Sequence, residues 1–250
     1  MSGHARISTS TSTFNKSFLA KAWEARNELM DYERRGFAQF FYLTLCSHIE
    51  SELALVITLR LQLINRAFRG NTPPPMKWKI DEIEHEFPLD SLIQSISQIT
   101  ARLEAEVKSA ALYKLIEHFG TVFPENINKV VGTELFGDLQ SLAKLRNLSA
   151  HGRNLTMEFE VDDFSAFKGT LDGNDLKQPA ERLHHAGVIM DFDIDGNNYD
   201  DFLSIFYSDE AMRYFYKAAQ GVEIKLRSLG MFPPEQSWHL RHPQLPPLAP

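Results

Sequence analysis

The residues best suited to chemistry gather in one segment, Lys144-Leu145-Arg146-Asn147-Leu148-Ser149-Ala150-His151-Gly152-Arg153. It holds three cations, one imidazole and no acid, in a chain whose formal charge is -7. Such a segment is a local anion site. Arg146 brings a planar guanidinium fork that matches phosphate oxygens, and His151 brings the side chain whose ordinary pKa lets it exchange protons near neutrality. Lys144 and Arg153 add charge on either side and are assigned to substrate binding. The chemistry that fits is cleavage of an RNA backbone. There the ribose 2′-hydroxyl attacks the adjacent phosphorus, which requires a base, an acid for the leaving oxygen and positive charge on the transition state, but no metal. Spacing adds a constraint, because five residues turn an ideal helix through about 500° and leave Arg146 and His151 about 140° apart. Either the helix loosens near Ser149, or the pair lies where two copies of the chain complete one site. The bland alternative is a helix C-terminus whose cations merely complement the helix dipole.

The run Arg146-Asn147-Leu148-Ser149-Ala150-His151 resembles the R-N-x-x-x-H signature, of the general form R-x(4 to 6)-H, of the HEPN superfamily. Its members are all-α, usually dimeric domains, many of them metal-independent endoribonucleases of prokaryotic toxin-antitoxin and defence systems. The resemblance implies that Arg146 and His151 are catalytic, that Asn147 assists them, that the chain is a homodimer, and that an antitoxin or regulatory protein is a partner. It also implies an acidic or polar residue on the central helix facing the motif. Glu50 and Glu52 compete for that role. Glu50 is favoured, because Cys46, Glu50 and Ala54 form a small-residue strip at i, i+4 spacing with room for Arg146. The competing expectation puts both glutamates on a solvated flank, with His48 a partly buried surface residue. A second reading of the whole chain is a catalytically silent HEPN-like module that dimerises or binds a nucleotide or partner.

The elements that must position these residues are mainly helical. Apolar spacing predicts a helix over 15–32 and a long central one over 35–69, ended by Gly70 before a proline run. Further helices are expected over 89–119, with Ile93, Ile96, Ile99, Leu103 and Val107 facing inward and Gly120 as the stop, and over 133–151. Alternation at Leu155, Met157, Phe159 and Val161, and again at Val188, Met190, Phe192 and Ile194, predicts half-buried strands. A short helix near 179–185 lies between them. Ser208-Asp209-Glu210 opens a last helix with Met212, Phe215, Tyr216, Val222, Ile224 and Leu226 on its apolar face. The expected fold is mainly α: an HEPN-like bundle over 14–152, a small β appendage over 153–207, and a returning helix over 208–232. Residues 1–13 and the proline-rich 233–250 read as loose tails.

Composition narrows the function classes. Hydrophobic residues make up 43% and charged residues 24%, the balance of a globular chain with a real core. The net charge of -7 disfavours coating nucleic acid with the whole surface. One cysteine, the absence of a signal-peptide core, and Arg60 and Gln62 within the most apolar stretch point to a cytoplasmic protein that does not span a membrane. Asp191-Phe192-Asp193-Ile194-Asp195-Gly196 opens like a calcium loop, but Phe202 stands where the closing glutamate belongs. His184-His185 has no ligand at metal spacing, and Cys46 reads as an inert core thiol. No phosphate-cradling glycine loop is present. Neither metal nor cofactor is expected.

Overall fold

The computed structural model describes residues 19–70, 76–80, 83–87, 89–151, 157–162, 166–171, 176–189, 204–229, 245–246 and 248. The expected tail 1–13, the acidic loop at Asp191–Gly196, Arg153 and the side chains of 148–151 lie outside the described residues. The chain is mainly α. Its contacts divide it into two compact units, Met1–Glu52 with Ile127–Pro250, and Leu53–Asn126. This differs from a single bundle over 14–152 followed by separate segments.

In the first unit, helix α1 covers residues 19–25 and passes through a 3-10 turn at Arg26–Glu28. Leu29 is extended, and helix α2 then runs from Asp31 to Gly70, four residues earlier than the spacing predicts. The cause is local. The Met30 amide donates to the Glu33 carboxylate at 2.9 Å while the Met30 carbonyl accepts from the Glu33 and Arg34 amides, so Glu33 closes the helix start as in a capping box.

Helices α5 (Ile127–Val131), α6 (Thr133–His151), α7 (Lys177–His185) and α8 (Asp209–Arg227) also belong to this unit. So does the hairpin of β3 (Met157–Asp162) and β4 (Ala166–Leu171), in which Met157 pairs with Leu171 and Asp162 with Ala166. Gly187, at φ 68°, closes α7, and the Val188 amide donates back to the Leu183 carbonyl at 2.9 Å. That cap takes Val188 out of the strand expected over 188–194, whose remaining residues 190–194 lie outside the described ones. Ser208 caps α8, its hydroxyl accepting from the Ala211 amide at 3.2 Å.

The core of this unit is aromatic. Phe41 lies with its ring centroid 5.6 Å from Trp23 and 6.1 Å from Tyr216, and Tyr42 lies edge-on to Phe215 at 5.8 Å. All five rings are buried, and the Tyr42 hydroxyl donates to the Phe206 carbonyl at 2.7 Å. Burial pushes the Tyr42 phenol far up, which keeps it a donor. Of the crowded aromatic group at the start of α2, Phe41 and Tyr42 are in the core, Phe37 is half-buried and Phe40 is exposed. Arg26 reaches across to α8, its Nε 2.8 Å from Asp209 Oδ2, while its guanidinium covers the Trp23 ring.

Helices α6 and α8 approach closely at Gly221, where an added Cβ would stand 3.0 and 3.1 Å from the Leu135 methyls. Gly221→Val is therefore expected to destabilise by about 1–3 kcal/mol through overpacking. Gly120→Ala, in the interior of a helix with nothing within 4 Å, should be neutral or stabilising by about 0.5–1 kcal/mol. Urea midpoints at unchanged slope check both.

The C-terminus is not loose where it is described. Leu245 is buried, and its amide donates to Glu223 Oε2 at 3.0 Å. The Tyr216 hydroxyl donates to the Pro246 carbonyl at 2.6 Å, and Gln220 Nε2 donates to the carbonyls of Leu245 and Pro246 at 3.0 and 3.2 Å. The expectation of a detached tail rests on proline content, and proline removes only backbone donors. Carbonyls and apolar surface remain to be docked.

In the second unit, residues 53–70 of α2 are followed by a hairpin that the sequence pattern does not reveal, β1 (Met76–Ile80) paired with β2 (Ile83–Phe87). The helix expected over 89–119 is two, α3 (Leu89–Val107) and α4 (Leu112–Val122), separated by a turn and an extended Ala111. Gly120 lies inside α4 and stops nothing. Ser97 donates to Asn65 at 3.0 Å, and Phe119 stacks on Phe123 at 4.1 Å. Ile99, expected inside, is exposed, and Thr100 is buried in its place, its hydroxyl donating to the Ile96 carbonyl at 2.9 Å.

By length and composition alone, Glu33–Phe68 of α2 is long and apolar enough to cross a membrane. Of its most apolar window, 61% is buried inside the fold.

Candidate functional site

Helix α6 carries the cationic segment on its last turns. Leu139, Leu142 and Leu145 are buried along it, so Arg146, next in the turn, comes to the rim of the core and is half-buried. Its Nη1 donates to Asn147 Oδ1 at 3.1 Å, which fixes one edge of the guanidinium. Lys144 is half-buried and Asn147 exposed. The helix continues to His151, so the loosening near Ser149 that would align Arg146 with His151 does not occur in its backbone. On one continuous helix the two positions stay about 140° apart.

Facing this rim, on α2, are Cys46 and Glu50. Cys46 is fully buried, and its thiol is pushed far up, first by burial and next by the Glu50 carboxylate, while the Arg146 guanidinium pulls it down. Glu50 and Arg146 thus act on the same sulfur from α2 and α6. The thiol itself is protonated and inert.

Glu52 goes elsewhere. With His48 it faces α8, where these two and Glu223 are buried and meet the half-buried Arg227 in a charge cluster. Arg227 Nη2 lies 2.6 Å from Glu223 Oε1 and 3.4 Å from Glu52 Oε2, and His48 Nε2 lies 3.4 Å from Glu223 Oε2. His48 is 0% exposed and its Nδ1 has no hydrogen-bond partner among the described residues. The expectation that Glu52 and His48 sit on a wet flank is corrected. The wet position on α8 belongs to Ile224, which is expected on the apolar face and is 54% exposed, while its neighbour Glu223 is inside.

His48, Glu52 and Glu223 offer ligand atoms within 4.8 Å of one another, a donor set that a divalent cation accepts by type. The Arg227 guanidinium already lies against both carboxylates, so a cation there has to displace it. As it stands the cluster is an internal ion-pair network. The sequence does carry a signal for it: His48 and Glu52, and Glu223 and Arg227, are i, i+4 pairs embedded in apolar stretches.

A third polar group lies at the other end of α6. There a cleft of about 490 Å³ is lined by Glu134, Gln178, Arg182 and Tyr214 among others. Arg182 Nη1 lies 2.8 Å from Glu134 Oε2, and the Tyr214 hydroxyl donates to Asp138 at 2.7 Å. Burial raises the Asp138 carboxyl, with the Tyr214 hydrogen bond and Arg182 opposing. The Arg182 guanidinium lies over Gly137, where a Cβ would make the flexible arginine tip move aside. Arg182 is thus committed to carboxylates. No family model, curated protein or solved structure matches the chain.

Proposed function

We propose that the chain is a metal-independent endoribonuclease of HEPN-like architecture, in which Arg146 and His151 act on the scissile phosphate. The observation that carries the reading is the position of Arg146 at the rim of α6, held by Asn147 and acting on the Cys46 strip together with Glu50. A guanidinium with one edge held by a neighbouring amide is partly preorganised as a clamp for developing phosphate charge. Lys144 on the same helix, with Arg153 just beyond it in sequence, adds the local positive field that an acidic chain otherwise lacks. The β appendage stands outside this chemistry. A toxin or defence effector kept in check by an antitoxin fits such an activity in the cytoplasm.

An unbroken helix through the motif supports a site completed by two chains. In an in-line displacement the 2′-hydroxyl and the departing 5′-oxygen lie on opposite sides of the phosphorus, so one imidazole cannot conveniently serve both. Two-fold symmetry brings a second one. His151 of one copy then takes the 2′-hydroxyl proton, and the same residue of the other, protonated, gives a proton to the leaving oxygen.

The test is incubation of the chain with RNA in EDTA. Upstream fragments ending in 2′,3′-cyclic phosphate or 3′-phosphate, and downstream fragments starting with 5′-hydroxyl, are expected, with DNA untouched because it lacks the attacking hydroxyl. Fragments with 5′-phosphates that appear only with magnesium would mean a different mechanism. RNA binding without any cleavage would mean the silent module.

A further inference from the structure

We propose that the face of α8 carrying Tyr216, Gln220 and Glu223 is a binding site for an extended Leu-Pro peptide, filled in cis by the chain's own C-terminus and open to a proline-rich partner bearing Leu-Pro-Pro. The inference is independent of the nuclease reading.

The seat reads backbone through side chains. Glu223 accepts the Leu245 amide, Gln220 donates to the carbonyls of both Leu245 and Pro246, and Tyr216 donates to the Pro246 carbonyl. One donor and two acceptors of a dipeptide are thus met by three residues spaced at about one helical turn along α8. Pro246 presents no amide, so the dipeptide leaves no backbone donor unmet. Leu245, 4% exposed, is the apolar anchor. A residue before proline is held extended and the following ring fixes its own φ, so little chain entropy is lost on docking. Burial pushes the Tyr216 phenol up, which preserves it as a donor.

Exchange is favoured over an empty seat. Glu223 is 1% exposed and bonds Arg227 through one oxygen, while its other oxygen faces the Leu245 amide and His48. Withdrawal of the tail takes a donor from a buried carboxylate oxygen and bares a leucine-sized apolar surface, and both losses are restored when another Leu-Pro segment enters. The partner is identified by that chemistry: a segment with leucine before proline and an unblocked leucine amide.

The experiment uses the full chain and a fluorescent peptide of residues 242–250, HPQLPPLAP. Leu245→Asp puts a carboxylate against Glu223 and expels the tail. The peptide is expected to bind Leu245→Asp saturably, and wild type at least tenfold more weakly. Gln220→Ala in the Leu245→Asp background should weaken binding by about fivefold or more, since it removes both hydrogen bonds to the Leu245 and Pro246 carbonyls. No saturable binding to folded Leu245→Asp, or equal affinity for both proteins, overturns the proposal. If circular dichroism shows Leu245→Asp unfolded, amide exchange decides it in wild type. The Leu245 amide should be protected, and Tyr216→Phe with Gln220→Ala should lower that protection at least tenfold. An unprotected Leu245 amide in wild type overturns it equally.

Discussion

Replacing His151 with alanine is expected to abolish RNA cleavage and leave the protein folded. The residue ends α6, and in the proposed reaction it is the proton carrier. Positioned acid-base catalysis contributes roughly 10²- to 10⁴-fold, and removing a transition-state donor about 10²- to 10³-fold, so Arg146→Ala should cost at least about a hundredfold as well. Arg146→Lys keeps the charge but loses the planar fork and the edge that Asn147 holds, and should fall between. Initial rates in EDTA, with circular dichroism to establish folding, measure all three. Mixed dimers of His151→Ala with wild type test the shared site. If each phosphate needs two imidazoles, mixed dimers are as inactive as the mutant, and if one suffices they keep about half the activity. A fully active His151→Ala protein removes the assignment.

What is legible in the sequence depends on how one-sided each face is. Helix α8 begins at Asp209 behind its Ser208 cap, because a cap is local and carries its own residues. Glu50 is separable from Glu52 through the small residues beside it, and the structure places the two against different neighbours. The hairpin at Met76–Phe87 is hidden, because its five-residue strands follow a proline run and alternate too briefly to register as a period. The α3–α4 break is hidden for the opposite reason: apolar spacing continues across Lys108–Ala111 while the backbone turns. The buried cluster escapes a reading that takes residue type for environment. Such a reading leaves glutamate at 223 in water and isoleucine at 224 in the core, yet Arg227 one turn on supplies the charge that lets Glu223 go inside. The seated C-terminus escapes in the same way, since proline content says nothing about whether carbonyls find donors.

That cluster sets the largest expected effect on stability. Arg227→Met keeps the apolar stem and removes the guanidinium, leaving Glu52 and Glu223, with side chains 3% and 1% exposed, desolvated beside His48. Breaking a buried pair from one side costs about 3–5 kcal/mol, because the surviving charges stay out of water. For a domain of this size each kcal/mol moves the melting midpoint by roughly 2–4 °C, so a drop of roughly 6–20 °C is expected. Lys225→Met, on the exposed side of the same helix, should change stability by no more than about 0.5 kcal/mol. The decisive comparison adds Glu52→Gln and Glu223→Gln to Arg227→Met. Neutral amides carry no unpaired charge, so the triple variant should recover most of the loss even though it has fewer ionic contacts than the single one. The Leu245 amide keeps an acceptor in the carboxamide that Glu223→Gln introduces, provided its oxygen faces inward, so the C-terminus should stay seated. An Arg227→Met protein within about 1 kcal/mol of wild type would mean that the carboxylates escape their charge another way, by taking up protons or by turning to water, and that the network does not hold α2 to α8.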